Sequence, residues 1–410
     1  MDKWRKNLYT VWFTQFLSLM GFGFGMPFLP FFIQDLGVTD PAELKMWTGI
    51  LSSAPALAMA IMAPVWGLLA DRVGKKLMLT RAMIGGTIVM IGLGTAQSVY
   101  AVLVFRIMQG LLTGTVTSSA ALVASGTPDK NLSYALGFVS SSTFIGWSFG
   151  PAVGGLIAEH FGYRLSFFIG AGIVCFGLIL VLLFIEEPTA LMAGRKPLKD
   201  GPIKDDIHTP ASKAGLKMIT PFVLVLFVLF FFIRLSRVLP APFLPLLVQE
   251  MRGTITGSAR ITGILSGGIG LMAAISGLTL ARLGDRMDRL HLLSVLIGAG
   301  VLTSALVPVI PGFTILIISQ LLTFFLIGGV EPLLMSITSE QVDSTNRGFL
   351  FGIQTAVGSL AWFSSPLLGS RISIAYSTRT VYLLFSILLG VTFLISLIVR
   401  RRASKLAVNQ

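Results

Sequence analysis

Apolar stretches of 18 or more residues recur along this chain from Leu8 to Val399. Each is long enough to cross a hydrocarbon core about 30 Å thick. A soluble domain normally carries about 25% charged residues. Here 12% of the 410 residues are charged and 54% are hydrophobic. Those proportions leave too little polar surface to coat a water-soluble fold, so the chain reads as an all-α membrane protein. Hydropathy places twelve spans near residues 8–33, 46–70, 77–97, 99–122, 134–158, 164–185, 218–249, 259–281, 290–308, 312–337, 348–371 and 379–399.

The net charge of +13 is a topology signal rather than the mark of a nucleic-acid partner. With both ends on one side, 21 of the 31 Lys and Arg fall on that side and six on the other; four (Arg81, Arg106, Arg234, Arg237) lie within spans. The positive-inside rule then puts both termini in the cytoplasm. The first span is too long and too rich in proline for a cleavable signal, and is expected to remain in the mature protein. Cys175 stands alone in an apolar run and reads as a packing residue, so neither a disulfide nor a thiolate metal site is expected within one chain. His160, His208 and His291 lie outside the spans, and no HExxH or nucleophile motif is present, so an embedded enzyme has no support. There is no P-loop; the power source is expected to be an ion gradient, with no cofactor.

An internal repeat organises the chain. PFLPFFIQDL (Pro27 to Leu36) returns as PFLPLLVQEM (Pro242 to Met251), identical at five of ten positions, with Asp35 answered by Glu250. LADR ending at Arg72 returns as LGDR ending at Arg286, and Pro151 and Gly154 return as Pro366 and Gly369. The offset is 214 or 215 in every case. The expected division is a six-span bundle over 1–185, a cytoplasmic linker over 186–217 that is rich in Pro, Gly and charge, and a second bundle over 218–410. Prolines deep in the spans are tolerated as kinks, because neighbouring helices can re-satisfy the freed backbone groups.

Three motifs carry functional information. GLLADRVGKK (Gly67 to Lys76) reads as a sharp cytoplasmic turn: Gly67 permits close helix contact and Gly74 the turn itself. Asp71 is placed to accept from a neighbouring helix end or a basic side chain, a contact that can hold one conformation as a latch; the charges could instead only set topology. Asp285 and Arg286 lie in its degraded second copy. Arg106, in LVFRIMQGLLTG, is an intramembrane cation that must face a cavity or a partner. In GWSFGPAVGG, Gly146, Gly150 and Gly154 recur every four residues, with Pro151 and Gly155 beside them, and bare one helix face for close packing.

These runs resemble the major facilitator superfamily. The loop motif matches that superfamily's signature, and parallel six-span halves are its described architecture. Arg106, followed by Gln109 and Gly110, resembles its fourth-span signature, whose Arg is implicated in proton coupling. GWSFGPAVGG resembles the antiporter signature of its drug-efflux members. Over most of the chain the sequence is similar to twelve-span drug:proton antiporters, and in particular to bacterial multidrug-resistance exporters linked to fosfomycin and deoxycholate tolerance. PFLPFFIQDLGV, LADRVGKKLML, ALGFVSSS and SFGPAVGGLIAEHFGYR carry that similarity. The resemblance implies an alternating-access, proton-coupled exporter of small amphipathic compounds in the inner membrane, acting as a monomer. An uptake symporter is the alternative.

A proton-driven carrier needs a carboxylate that titrates within the membrane. Glu331 is the one acid well inside a span, and could couple protons, bind a cationic substrate or pair with an Arg. Asp35 is its rival, near the outer end of the first span. Arg234 and Arg237 could bind an anion or neutralise either acid. Phe24, Met26, Gln109, Trp147, Phe232, Gln354 and Trp362 are candidates for lining a pocket, each of them equally readable as core or lipid-facing.

Overall fold

Two prolines in the last third of the first span and two in its repeat determine how those helices bend. In the computed structural model, which describes residues 2–128, 131–188, 220–284, 286–340 and 347–408, the helix Lys3–Gly25 passes through a 3-10 segment, Met26–Phe28, before resuming as Leu29–Asp35. The seventh span repeats the device: Pro221–Val238, the 3-10 segment Ala241–Phe243, then Leu244–Arg252. Proline lacks the N–H that would continue the ladder, so each helix tightens by one turn instead of breaking.

Ten helical runs are long and apolar enough to cross a bilayer: Lys3–Asp35, Pro41–Ala70, Lys75–Thr95, Val99–Gly126, Tyr163–Phe184, Pro221–Arg252, Ser258–Leu280, Arg289–Val309, Phe313–Ser339 and Thr378–Arg401. Leu132–Phe161 and Arg347–Ala375, 30 and 29 residues long, are the fifth and eleventh spans. Serine and glycine dilute their hydropathy. The twelve fall where hydropathy places them, most of them extended at one or both ends, because polar ends continue the helix beyond the apolar core. The described residues contain helix and connecting turns, and no strand.

Contacts group the chain into two compact units that interleave in sequence. One comprises Met1–Pro197, Ala241–Leu271 and Pro366–Thr378; the other comprises Leu198–Pro240, Met272–Ser365 and Arg379–Gln410. In the first unit, spans one and five meet along the glycine face. A Cβ added at Gly150 would lie 2.8 Å from the Gly23 Cα, and one at Gly154 would lie 2.4 Å from the Phe24 Cα. Gly155 meets Gly263 of span eight in the same way, at 3.1 Å. At the N-terminal face, Asn7 and the Glu186 backbone exchange hydrogen bonds of 2.8 and 3.0 Å. Lys3 donates to the Glu186 carboxylate at 2.7 Å and holds that carboxyl below its usual range. Residues 189–219, most of the expected linker, lie outside the described residues.

The loop after span two turns at Gly74, whose φ of +101° favours glycine. The donors at the start of span three are answered by Glu187, which accepts from the backbone N–H of Lys75 at 2.6 Å and of Lys76 at 2.9 Å. The expected close contact at Gly67 is absent: among the described residues nothing lies within 4 Å of a Cβ added there. On this part of span two, Ile61 and Leu68 are exposed. Arg72 and Arg286 are exposed. The Asp71 side chain and all of Asp285 lie outside the described residues.

These contacts predict opposite outcomes for two glycine substitutions. Gly154→Val forces backbone apart and should reduce the yield of folded protein several-fold in size-exclusion profiles; Gly67→Val should leave yield and unfolding temperature unchanged.

Candidate functional site

Span four does not run straight through. Its helix Val99–Leu112 stops and restarts as Thr115–Gly126, with Gly114 at φ +124° between them. Such a break frees carbonyls in a medium with no water to bind them. Trp66 Nε1 donates to the Leu111 carbonyl at 2.7 Å, and Arg81 Nη2 reaches the Thr113 carbonyl at 3.5 Å. The Arg81 guanidinium lies 3.6 Å over the Trp66 ring, so the two groups brace one another.

About two turns before the break stands the first candidate cluster. Arg106 is buried; its Nε donates to the Leu51 carbonyl at 2.7 Å, and its Nη1 donates to Gln109 Oε1 and lies 3.0 Å from Met26 Sδ. Among the described residues no carboxylate lies within ion-pair distance of it. Arg106, Gln109 and Met26 thus come together as expected, around a cation held by neutral acceptors.

Span ten has the corresponding break. Helix Phe313–Ile327 ends at Gly328 and Gly329, and Val330–Glu340 follows. Gly329 stands 215 residues after Gly114, so the break belongs to the internal repeat. Gly328 packs against span eight, where an added Cβ would lie 2.7 Å from the Ala273 Cα, and Ser276 Oγ accepts from the Gly329 N–H at 2.7 Å. The second half has no Arg81–Trp66 brace, since residues 281 and 296 are Ala and Leu. It has Glu331 instead, in the first turn beyond the break.

Glu331 is clasped by two guanidiniums of span seven. Arg234 Nη1 donates to its Oε1, and Arg237 Nη1 to its Oε2 at 2.6 Å. The side chains are 36%, 20% and 14% exposed for Arg234, Arg237 and Glu331, so Arg234 is the most open of the three. Among the alternatives read from sequence, the structure places Glu331 in the Arg pair. The ionised triad carries a net charge of +1, surrounded by apolar helix.

Gln354 of span eleven is 2% exposed, and among the described residues neither its Nε2 nor its Oε1 has a partner; Arg234 Nε is likewise buried without one among them. Gly358, one turn along span eleven, faces span seven: a Cβ added there would lie 3.3 Å from the Phe230 ring and 3.8 Å from Arg234 Nε. Phe232 is half-buried and packs edge-on to Phe231 at 5.6 Å. Trp362 is half-buried and Trp147 exposed. Phe24 is buried against span five, which makes it core and not pocket lining. Asp35 is exposed, with Arg164 as the cation acting on it, and takes no part in either cluster. Two features escaped the sequence reading. Gly114 and Gly329 do not stand out in spans with many glycines, and Glu187 lies in what reads as linker.

Twelve spans with charge clusters held inside the membrane define a polytopic membrane transporter. The chain belongs to the Major Facilitator Superfamily, whose pattern matches residues 11–253 and again 226–410. It is 31% identical over 385 residues to the multidrug resistance protein MdtG of Proteus mirabilis, covering 93% of this chain and 92% of that protein. It is 34% identical over 383 residues to the protein of the same name from Salmonella arizonae, covering 92% and 91%. Among solved structures, a bacterial homologue of the human lysosomal transporter Spinster superposes with a TM-score of 0.79 at 13% identity, covering 98% of this chain and 97% of that one. The human organic anion transporter MFSD10 gives 0.70 at 18% identity, covering 97% and 100%.

Breaking a buried ion pair strands the remaining charge, typically at about 3–5 kcal/mol, and less where water reaches it. Arg237→Gln should therefore lower the unfolding temperature in detergent more than Arg234→Gln, whose side chain is the more exposed.

Proposed function

We propose that the chain is a proton-coupled secondary exporter of drugs and other small amphipathic compounds. It works by alternating access in the bacterial inner membrane, as a monomer with both termini cytoplasmic. Six-span bundles over 1–185 and 218–410, joined by the 186–217 linker, move against each other; no cofactor takes part. Three observations support export: the multidrug-resistance relatives match nearly end to end, the antiporter-like glycine face packs on the backbone of span one, and the chain has no P-loop.

The single observation that carries proton coupling is the clasp on Glu331. A proton landing on this carboxylate removes the negative partner of both ion pairs at once, and the cluster goes from +1 to +2 inside the membrane. A change of that size, at a helix break, alters which packing of spans seven and ten is favoured. In the exporter, protonation and cargo loading alternate at this site. Arg106, with Gln109 and Met26, keeps a fixed positive charge in the first half.

A second reading rests on the same triad. Protonated Glu331 leaves two guanidiniums without a counter-charge, and an anion would then bind more tightly with the proton than without it. Mutual reinforcement of that kind has the sign of symport, so an anionic cargo would favour uptake.

Everted vesicles separate the two. Export predicts cargo accumulation driven by an inward-acidic gradient, and Glu331→Gln should abolish it at unchanged expression. Unaltered efflux in Glu331→Gln would move the coupling role to Asp35, and no accumulation by verified wild-type protein would favour uptake.

A further inference from the structure

The internal repeat brings its own copies face to face at one place. Gln34 and Gln249, 215 residues apart, hydrogen-bond reciprocally: each Nε2 donates to the other's Oε1 at 3.0 Å. They sit at the ends of spans one and seven remote from the N terminus, within a single compact unit. Next to them, Lys45 of span two lies 3.6 Å from Glu250, and Thr378 Oγ1 donates to the same carboxylate. Lys45 also donates to the Ser373 carbonyl at 3.3 Å, and Ser370 Oγ to the Lys45 carbonyl at 2.9 Å. Spans one and two are thereby tied to spans seven and eleven around a cavity of about 350 Å³.

The amide and ionised members of this strap have repeat counterparts of like chemistry, whereas Thr378 is matched by Tyr163. Gln34 answers Gln249, Asp35 answers Glu250, and Arg260 answers Lys45. Twofold logic therefore calls for two equivalent bridges, Lys45–Glu250 and Arg260–Asp35. The first is made. Asp35 and Arg260 are both exposed, and no ion pair joins them among the described residues. The repeat does hold nearby: Arg164 donates to the Gly94 carbonyl at 3.0 Å, and its counterpart Arg379 donates to the Val307 carbonyl at 3.0 and 2.9 Å. The asymmetry is local to the bridge.

We propose that the Gln34–Gln249 pair and the Lys45–Glu250–Thr378 bridge are the latch of the outer gate, made at one of two twin positions, and that it must part each time the cavity opens outward. The inference rests on the alternating-access reading above, but not on the cargo or on proton coupling. A reciprocal amide pair and a partly exposed bridge are weak individually. Together they bias the gate towards closure while leaving it able to open.

The test reads gate opening directly. Met26, which touches Arg106 inward of the strap, is replaced by Cys in a Cys175→Ser background. Right-side-out vesicles without cargo or gradient are then treated with a membrane-impermeant thiol reagent. Glu250→Gln, or Gln34→Ala with Gln249→Ala, should speed labelling about tenfold. The charge swap Lys45→Glu with Glu250→Lys should return the rate to within about twofold of the parent, the pair being re-formed. Arg260→Gln, at the unmade twin, should change nothing. Equal rates in the parent and latch variants that elute as folded protein would overturn the proposal, as would acceleration by Arg260→Gln equal to that by Glu250→Gln. In a separate arm, oxidation of Gln34→Cys/Gln249→Cys should stop cargo flux in both directions until reductant is added. Unchanged flux through fully cross-linked protein, or no cross-link at all, would also overturn it. Failure of the export reading would appear in wild-type flux and leave the labelling rates untouched.

Discussion

Hydrocarbon offers a polypeptide no hydrogen-bond partners, and the whole arrangement follows from where this chain departs from a straight helix. Each departure is answered by protein. Pro27 and Pro30, and their copies Pro242 and Pro245, remove donors and tighten the helix into a 3-10 turn. The break at Gly114 is closed by Trp66 and Arg81, and that at Gly329 by Ser276. The intramembrane charges of interest sit beside these breaks. Arg106 and Gln109 come just before Gly114, and Glu331 comes just after Gly329. A helix that stops in mid-membrane can aim a side chain inward, and can repack without unwinding the turns on either side.

The two halves solve the problem of an embedded charge differently. Arg106 is surrounded by a carbonyl, an amide oxygen and a thioether sulfur, all of them neutral. Arg234, Glu331 and Arg237 form a cluster in which one carboxylate answers two guanidiniums. One half thus holds its cation with neutral acceptors, and the other holds two with a carboxylate.

Much of this was legible in the sequence. Span number and position follow from hydropathy, because twenty apolar residues in water have no alternative use. The repeat was visible in PFLPFFIQDL and PFLPLLVQEM, and it later located the paired 3-10 turns, the paired breaks and the Gln34–Gln249 contact. Charge economy identified Glu331 and both arginines, although it left open whether they meet. The rest was hidden for physical reasons. Glycine is common in membrane helices, so Gly114 and Gly329 carry no signal until φ and packing are known. Glu187 looks like linker charge until the chain brings it to the start of span three. Phe24 reads as core or as pocket lining, and the bare face of Gly154 draws its backbone into the core. Gly67 reads as a contact residue, yet among the described residues none lies within 4 Å of a Cβ added there.

The account depends on spans one, two, seven and eight adopting more than one spacing at the ends beside the Gln34–Gln249 pair. Spin labels at Thr39 and Thr254, both exposed beside the strap, would report that spacing by pulsed electron resonance in lipid nanodiscs. Two distance populations whose ratio changes with pH or with added cargo are predicted. A single distance, unmoved by either, would contradict alternating access in this protein.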